Sequence, residues 1–150
     1  MRLRDFLAED AIALSLAGET KDAILQELVA LLRVDERSAA TLHRVLQRRE
    51  ALGSTGVGHG IAIPHGRSLV VDRLRLAFGR HLAGVEWEAM DGKPVFHFFL
   101  IVAPPLEVSN QYLPVLGRIA QFAKDADVNQ RLMGLRTPGE LLALFDERGV

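Results

Sequence analysis

The sequence has no cysteine. That removes disulfide frameworks and thiol catalysis and fits a reducing cytosol. It has almost no net charge either. Eighteen lysines and arginines face nineteen aspartates and glutamates, so no global field draws in nucleic acid or an anionic membrane, and recognition must be local. Long apolar runs are also missing. The longest, Val95 to Val102, is interrupted by His97 and stops at Pro104-Pro105, far short of the roughly twenty residues that span a bilayer. Arg2 and Arg4 imitate a signal-peptide start, yet Asp5, Glu9 and Asp10 break the apolar stretch that export requires. No linker, repeat or low-complexity tract interrupts the chain. The expectation is one soluble, cytoplasmic domain over residues 1–150, with no membrane insertion and no nucleic-acid partner. At 150 residues and 49% hydrophobic composition, such a chain buries a sizeable core without disulfides or metal.

Periodicity supplies the elements. Ile12, Leu14 and Leu16 alternate as in a short strand ahead of the Gly18 turn. Thr20 reads as an N-cap for a helix whose buried stripe is Ile24, Leu25, Leu28, Val29, Leu31 and Leu32. A second helix starts at Asp35 or Ser38, with Leu42, Val45 and Leu46 on one face and Gln47, Arg48 and Glu50 pointing elsewhere. Leu74 to Leu82 and Val95 to Val102 read as strands, the second central and covered on both faces. His81 and His97 are read as structural, His97 as a hydrogen-bonded core residue. Trp87 caps the core, and Asp91-Gly92 makes a turn. A long helix from about Val108 has Tyr112 or Leu113, Leu116, Ile119, Ala120 and Ala123 on its apolar face, with Pro114 in its first turns. Two short helices, Val128 to Leu135 and Pro138 to Phe145, close the chain, the second capped by Thr137, Pro138 and Glu140. Strands alternating with helix pairs predict an α/β domain.

Chemistry concentrates in Gly53-Ser54-Thr55-Gly56-Val57-Gly58-His59-Gly60, which runs into Ile61-Ala62-Ile63-Pro64-His65-Gly66-Arg67. Four glycines in eight residues make a fitted loop with N–H groups open to an anion. Ile63 precedes a proline and is biased to extended backbone, so a short apolar strand delivers His65 to the rim of the core. A held, reachable imidazole suits phosphoryl transfer through a phosphohistidine. The incoming group finds acceptors for its charge in backbone N–H groups, the Ser54 and Thr55 hydroxyls and Arg49. A glycine-rich connector with a surface histidine is the bland alternative. Arg49, three past Leu46 on the apolar face, either snorkels out at the helix end or meets an anion. Metal binding finds little support, since His59 and His65 are six apart with no cysteine and no carboxylate pair to complete a set.

The segment from Arg49 to Arg67, with Trp87-Glu88-Ala89-Met90-Asp91-Gly92-Lys93-Pro94-Val95 downstream, closely resembles the type-2 IIA domains of the bacterial phosphoenolpyruvate-dependent phosphotransferase system, the fructose, mannitol and nitrogen-regulatory group. The resemblance implies a small mixed β-sheet flanked by α-helices. It implies a phosphocarrier in which His65 takes a phosphoryl group from the histidine-containing phosphocarrier protein, His59 and Arg49 line the pocket, and Ser54 and Thr55 supply hydroxyl or backbone donors. No cofactor or metal is implied. Sugar-transport members carry a second active-site histidine at the start of the long helix; Gln111-Tyr112-Leu113 stands there instead, so Tyr112 replaces it. With no fused permease or IIB segment, the sequence is most similar to the nitrogen-regulatory proteins and points to a regulatory target. A IIA subunit passing phosphate to a IIB component, and a non-catalytic binding module of the same fold, are the alternatives.

Overall fold

The computed structural model describes residues 2–107 and 110–150. Its framework is a mixed sheet built around the apolar run that sequence periodicity makes central. Strands β1 (Leu7–Ala13), β2 (Gly56–Gly58), β3 (Ile61–Ala62), β5 (Arg75–Val85) and β6 (Val95–Ala103) lie in the order β1-β5-β6-β3-β2, and β4 (His65–Arg67) also pairs with β6. Only β5 with β6 and β2 with β3 are antiparallel; β1 with β5, β3 with β6 and β4 with β6 are parallel. Helices cover both faces, which is why Phe98 through Ala103 are all buried, unlike the alternating strands of a half-exposed sheet.

Helices α1 (Lys21–Leu31) and α2 (Glu36–Leu52) cover one face, with Arg75 of β5 donating to the Leu32 carbonyl just past α1. Helices α3 (Tyr112–Ala123), α4 (Ala126–Met133) and α5 (Pro138–Glu147) lie on the other, joined to the sheet through Phe99, whose ring meets those of Phe78, Phe122 and Phe145. The caps are local. The side chains of Thr20 and Asp35 accept from Ala23 N and Ser38 N, and Thr137 with Glu140 forms a capping box behind Pro138.

Three expectations need correction. The first strand is Leu7–Ala13, with a bulge between the Leu7–Leu76 and Ile12–Phe78 pairs. Leu14 to Leu16 lies beyond it, and its backbone goes to Arg80 instead, Leu16 N donating to the Arg80 carbonyl and Arg80 Nε to the Leu14 carbonyl. The third helix begins at Tyr112, because Tyr112 N–H donates to the Glu107 carboxylate and the chain turns there; Val108 lies outside the described residues. Its buried face is Tyr112, Val115, Ile119, Phe122 and Ala123, leaving Leu113 67% exposed. Finally, His97 is buried as expected, but its Nδ1 has no hydrogen-bond partner among the described residues.

Candidate functional site

The carboxyl end of β6 gathers the site. Parallel pairing of β4 sets His65 against Ile101 and Arg67 against Ala103. The last turn of α2 brings Arg49 to the same place, and α3 starts there with Tyr112. His65 is half-buried. Its Nδ1 lies 2.8 Å from the Ile63 carbonyl, which only accepts, so the ring proton sits on Nδ1 and Nε2 carries the lone pair. Arg49 Nε donates to that Nε2 at 3.4 Å, while Arg49 Nη1 donates to the Gly53 carbonyl at 2.7 Å and anchors the guanidinium to the loop start. Burial holds the imidazole below the ordinary histidine value, with Arg49 adding to the effect; the Ile63 carbonyl and Glu50 oppose it. The result is a neutral imidazole with its free nitrogen facing a fixed cation.

Tyr112 stands edge-on to His65, ring centroids 6.1 Å apart. Its other face carries Arg67, whose guanidinium carbon is 4.3 Å from the ring centroid. Arg67 is itself tied to the Pro104 carbonyl at 2.8 Å and lies 3.8 Å from Glu107. Burial raises the phenol above its ordinary value, against the pull of Arg67 and Arg49, so it stays a neutral hydroxyl.

The side chains of the glycine loop are engaged elsewhere. The hydroxyls are not free to meet an anion. Ser54 Oγ donates to the Trp87 carbonyl at 2.7 Å and accepts from Gly56 N, while Thr55, buried, gives its hydroxyl proton to Glu50 and accepts from Trp87 Nε1 at 3.2 Å. Gly56 is needed because a Cβ there would come within 2.7 Å of Ala89. Of the loop's glycines, Gly56 alone packs against the Trp87–Ala89 segment, while Gly58 and Gly60 take positive φ in the turn around His59. His59, moreover, is not brought to His65. Ile61, two residues further on, pairs with His97, four residues before the Ile101 that pairs with His65, so the start of β3 lies about 13 Å further along the sheet. There, in a turn with positive φ at Gly58, His59 and Gly60, His59 borders a second cavity with Asp91, Lys93, Phe96, His97 and Asn129.

Three side chains at or beneath the site were not foreseen. Arg67 and Glu107 had no periodic signal, since their roles come from the turn into α3. Glu50 did have one. It continues the Leu42–Leu46 spacing by four residues and is buried with them, although its charge suggests an outward position.

The chain belongs to a defined protein family. Residues 5–148 match the EIIA 2 family of the phosphoenolpyruvate-dependent sugar phosphotransferase system. Among its relatives, a nitrogen regulatory protein of Bradyrhizobium diazoefficiens is 35% identical over 137 residues, covering 91% of this chain and 89% of that one. The fructose-specific EIIABC component of Bacillus subtilis is 26% identical over 151 residues, 98% of this chain but only 23% of that protein. The crystal structure of the nitrogen regulatory protein IIA-Ntr from Neisseria meningitidis superposes with a TM-score of 0.86 at 32% identity, covering 94% of this chain and 97% of that chain. Among the described residues no helix is long and apolar enough to cross a membrane, and no cluster of histidines and carboxylates could hold a metal ion.

Proposed function

We propose that this protein is a phosphocarrier that accepts a phosphoryl group at Nε2 of His65 from a phosphohistidine of the histidine-containing phosphocarrier protein and uses the modified state for regulation. The observation that carries this is the pair of bonds on one ring: Nδ1–H to the Ile63 carbonyl and Nε2 facing Arg49. In the transfer, the donor's P–N bond breaks as the Nε2–P bond forms. A donor ring that carries its own proton leaves as neutral imidazole, and the positive charge passes to the His65 ring. The Ile63 carbonyl steadies that charge through Nδ1–H, and Arg49 turns its N–H groups to the phosphoryl oxygens. No metal or proton relay is needed. Exposed leucines adjoin the site residues in sequence, Leu52 past Arg49, Leu69 past Arg67, Leu106 before Glu107 and Leu113 after Tyr112, all at least 67% exposed. Exposed apolar side chains beside charged site residues suit a protein donor.

The regulatory output rests on the similarity to nitrogen regulatory proteins and on Tyr112, a phenol that donates a hydrogen bond but cannot act as a near-neutral base. A second reading, delivery to a IIB component for fructose- or mannitol-type uptake, has support in the fructose-specific EIIABC relative, which names such components in one chain. Incubation with phosphoenolpyruvate and the general phosphotransferase proteins tests the proposal. The wild type should take up acid-labile, alkali-stable phosphate and His65→Ala none. Label persisting in His65→Ala, or an acid-stable ester, would refute it.

A further inference from the structure

We infer that Glu50 is a positioning residue for His65: through Thr55 and Ile63 it holds the carbonyl that keeps the imidazole proton on Nδ1 and Nε2 free to react. The inference rests on the reading of His65 as phosphoryl acceptor.

Glu50 sits where a carboxylate is least at home. It is 8% exposed, and it lies in the last turn of α2, where the helix dipole presents its negative end. Burial of a charge at such a place requires partners on both oxygens. Lys21 Nζ reaches Oε2 at 3.0 Å, Thr55 N–H donates to the same oxygen at 3.2 Å, and the Thr55 hydroxyl donates to Oε1. The indole N–H of Trp87, the single tryptophan, then donates to Thr55 Oγ1, and the Lys21 ammonium stands 5.0 Å from the Trp87 ring centroid. Glu50 thus grips Thr55 by both its backbone and its side chain.

What makes this more than a buried ion pair is where Thr55 leads. Its carbonyl accepts from Ile63 N at 3.0 Å, and the Ile63 carbonyl accepts from His65 Nδ1 at 2.8 Å. Two hydrogen bonds and one residue, Ile63, therefore separate the Thr55 clamp from the reacting ring. The preceding residue on the helix, Arg49, is the cation at Nε2. One turn of α2 accordingly governs both ring nitrogens: Arg49 directly, Glu50 through the loop. An imidazole without a fixed Nδ1 acceptor populates both neutral tautomers, and in the Nε2–H form the nitrogen facing Arg49 cannot attack.

Nitrogen-15 spectra of the full chain, recorded above the histidine titration range, read the His65 tautomer directly. The wild type should show the Nδ1–H form. Glu50→Gln, which keeps the shape but loses the pairing with Lys21, and Thr55→Val, which loses the hydroxyl, should show a tautomer mixture. Their phosphoryl acceptance should fall about ten- to a hundredfold, the scale of a small misplacement of a reacting group. Thr55→Ser should restore both. Trp87 emission and thermal melts identify variants that keep the fold, and if Glu50→Gln does not fold, the Thr55→Val and Thr55→Ser pair decides. Folded variants with the wild-type tautomer and rate would overturn the inference. A wild type that accepts no phosphate would refute the proposed function instead, while the tautomer populations still judge Glu50.

Discussion

Arg49 carries two roles that mutation can separate. Its Nη1 bond to the Gly53 carbonyl is structural and partly solvated, while its Nε bond to His65 points at the reacting nitrogen. Arg49→Ala should therefore slow acceptance more than it destabilises the fold. A charge-assisted bond made mainly in the transition state is worth roughly 1.5–3 kcal/mol, or about ten- to a hundredfold in rate. Arg49→Lys should recover little, because a point charge cannot hold both the loop carbonyl and a phosphoryl oxygen as a planar fork does. Single-turnover rates beside melting curves check this; a loss of stability with unchanged rate would mean that Arg49 only packs. Tyr112 poses the complementary question. Its ring is buried between His65 and Arg67, so Tyr112→Phe keeps the packing and should change acceptance by about 1 kcal/mol or less. Tyr112→His should raise delivery to a transport IIB component while leaving acceptance nearly unchanged. Transfer assays with such a component check it, and fast wild-type delivery indifferent to both substitutions would favour sugar transport.

At the scale of elements, the junction of α4 with the sheet depends on one buried cation. Arg80, 7% exposed on β5, donates to the Leu14 carbonyl and, at the carboxyl end of α4, to those of Leu132, Met133 and Leu135 at 2.8–3.1 Å. These include carbonyls that the helix end leaves without internal partners. Arg80→Leu should cost about 3 kcal/mol or more, because four buried or part-buried acceptors lose their donor together, and Arg80→Lys should restore only part of it. Chemical denaturation measures the loss; a change under about 1 kcal/mol would show that water replaces the guanidinium. The same junction marks where legibility ended. The β6 run, the Thr20, Asp35 and Thr137 caps and the turn at Asp91-Gly92 follow from local sequence and stand in the structure. The strand expected at Ile12 to Leu16 does not, since its alternation cannot reveal that a distant arginine claims the backbone there. At the site, the Ile63-Pro64 step made a held, reachable His65 legible, whereas helix spacing left Arg49 between snorkelling and an anion, and its contact with His65 Nε2 is what the structure adds. The commitment of the Ser54 and Thr55 hydroxyls was not legible, because it depends on Trp87 and Glu50 arriving from other parts of the chain.

Across the whole molecule, buried histidines set the acid limb of stability. Burial pushes His97 down to about 4, and Arg80, directly opposite on β5, adds to the effect. His65 is lowered as well. In the unfolded chain a histidine takes up its proton near pH 6.5. Between that value and about 4 the unfolded state therefore binds a proton that the fold refuses, and stability declines as pH falls. For His97 the loss totals on the order of 3 kcal/mol. His97→Phe should flatten this part of the profile in urea melts; an unchanged slope would mean that His97 is protonated in the fold. The phosphocarrier chemistry turns on one atom. Phosphorylating the nitrogen-15-labelled protein and reading the phosphorus–nitrogen coupling identifies the bonded nitrogen outright. A single coupling is expected, to Nε2 of His65, with Nδ1 still carrying its proton; coupling to Nδ1, to His59 or to no imidazole at all would contradict the proposed phosphoryl acceptor.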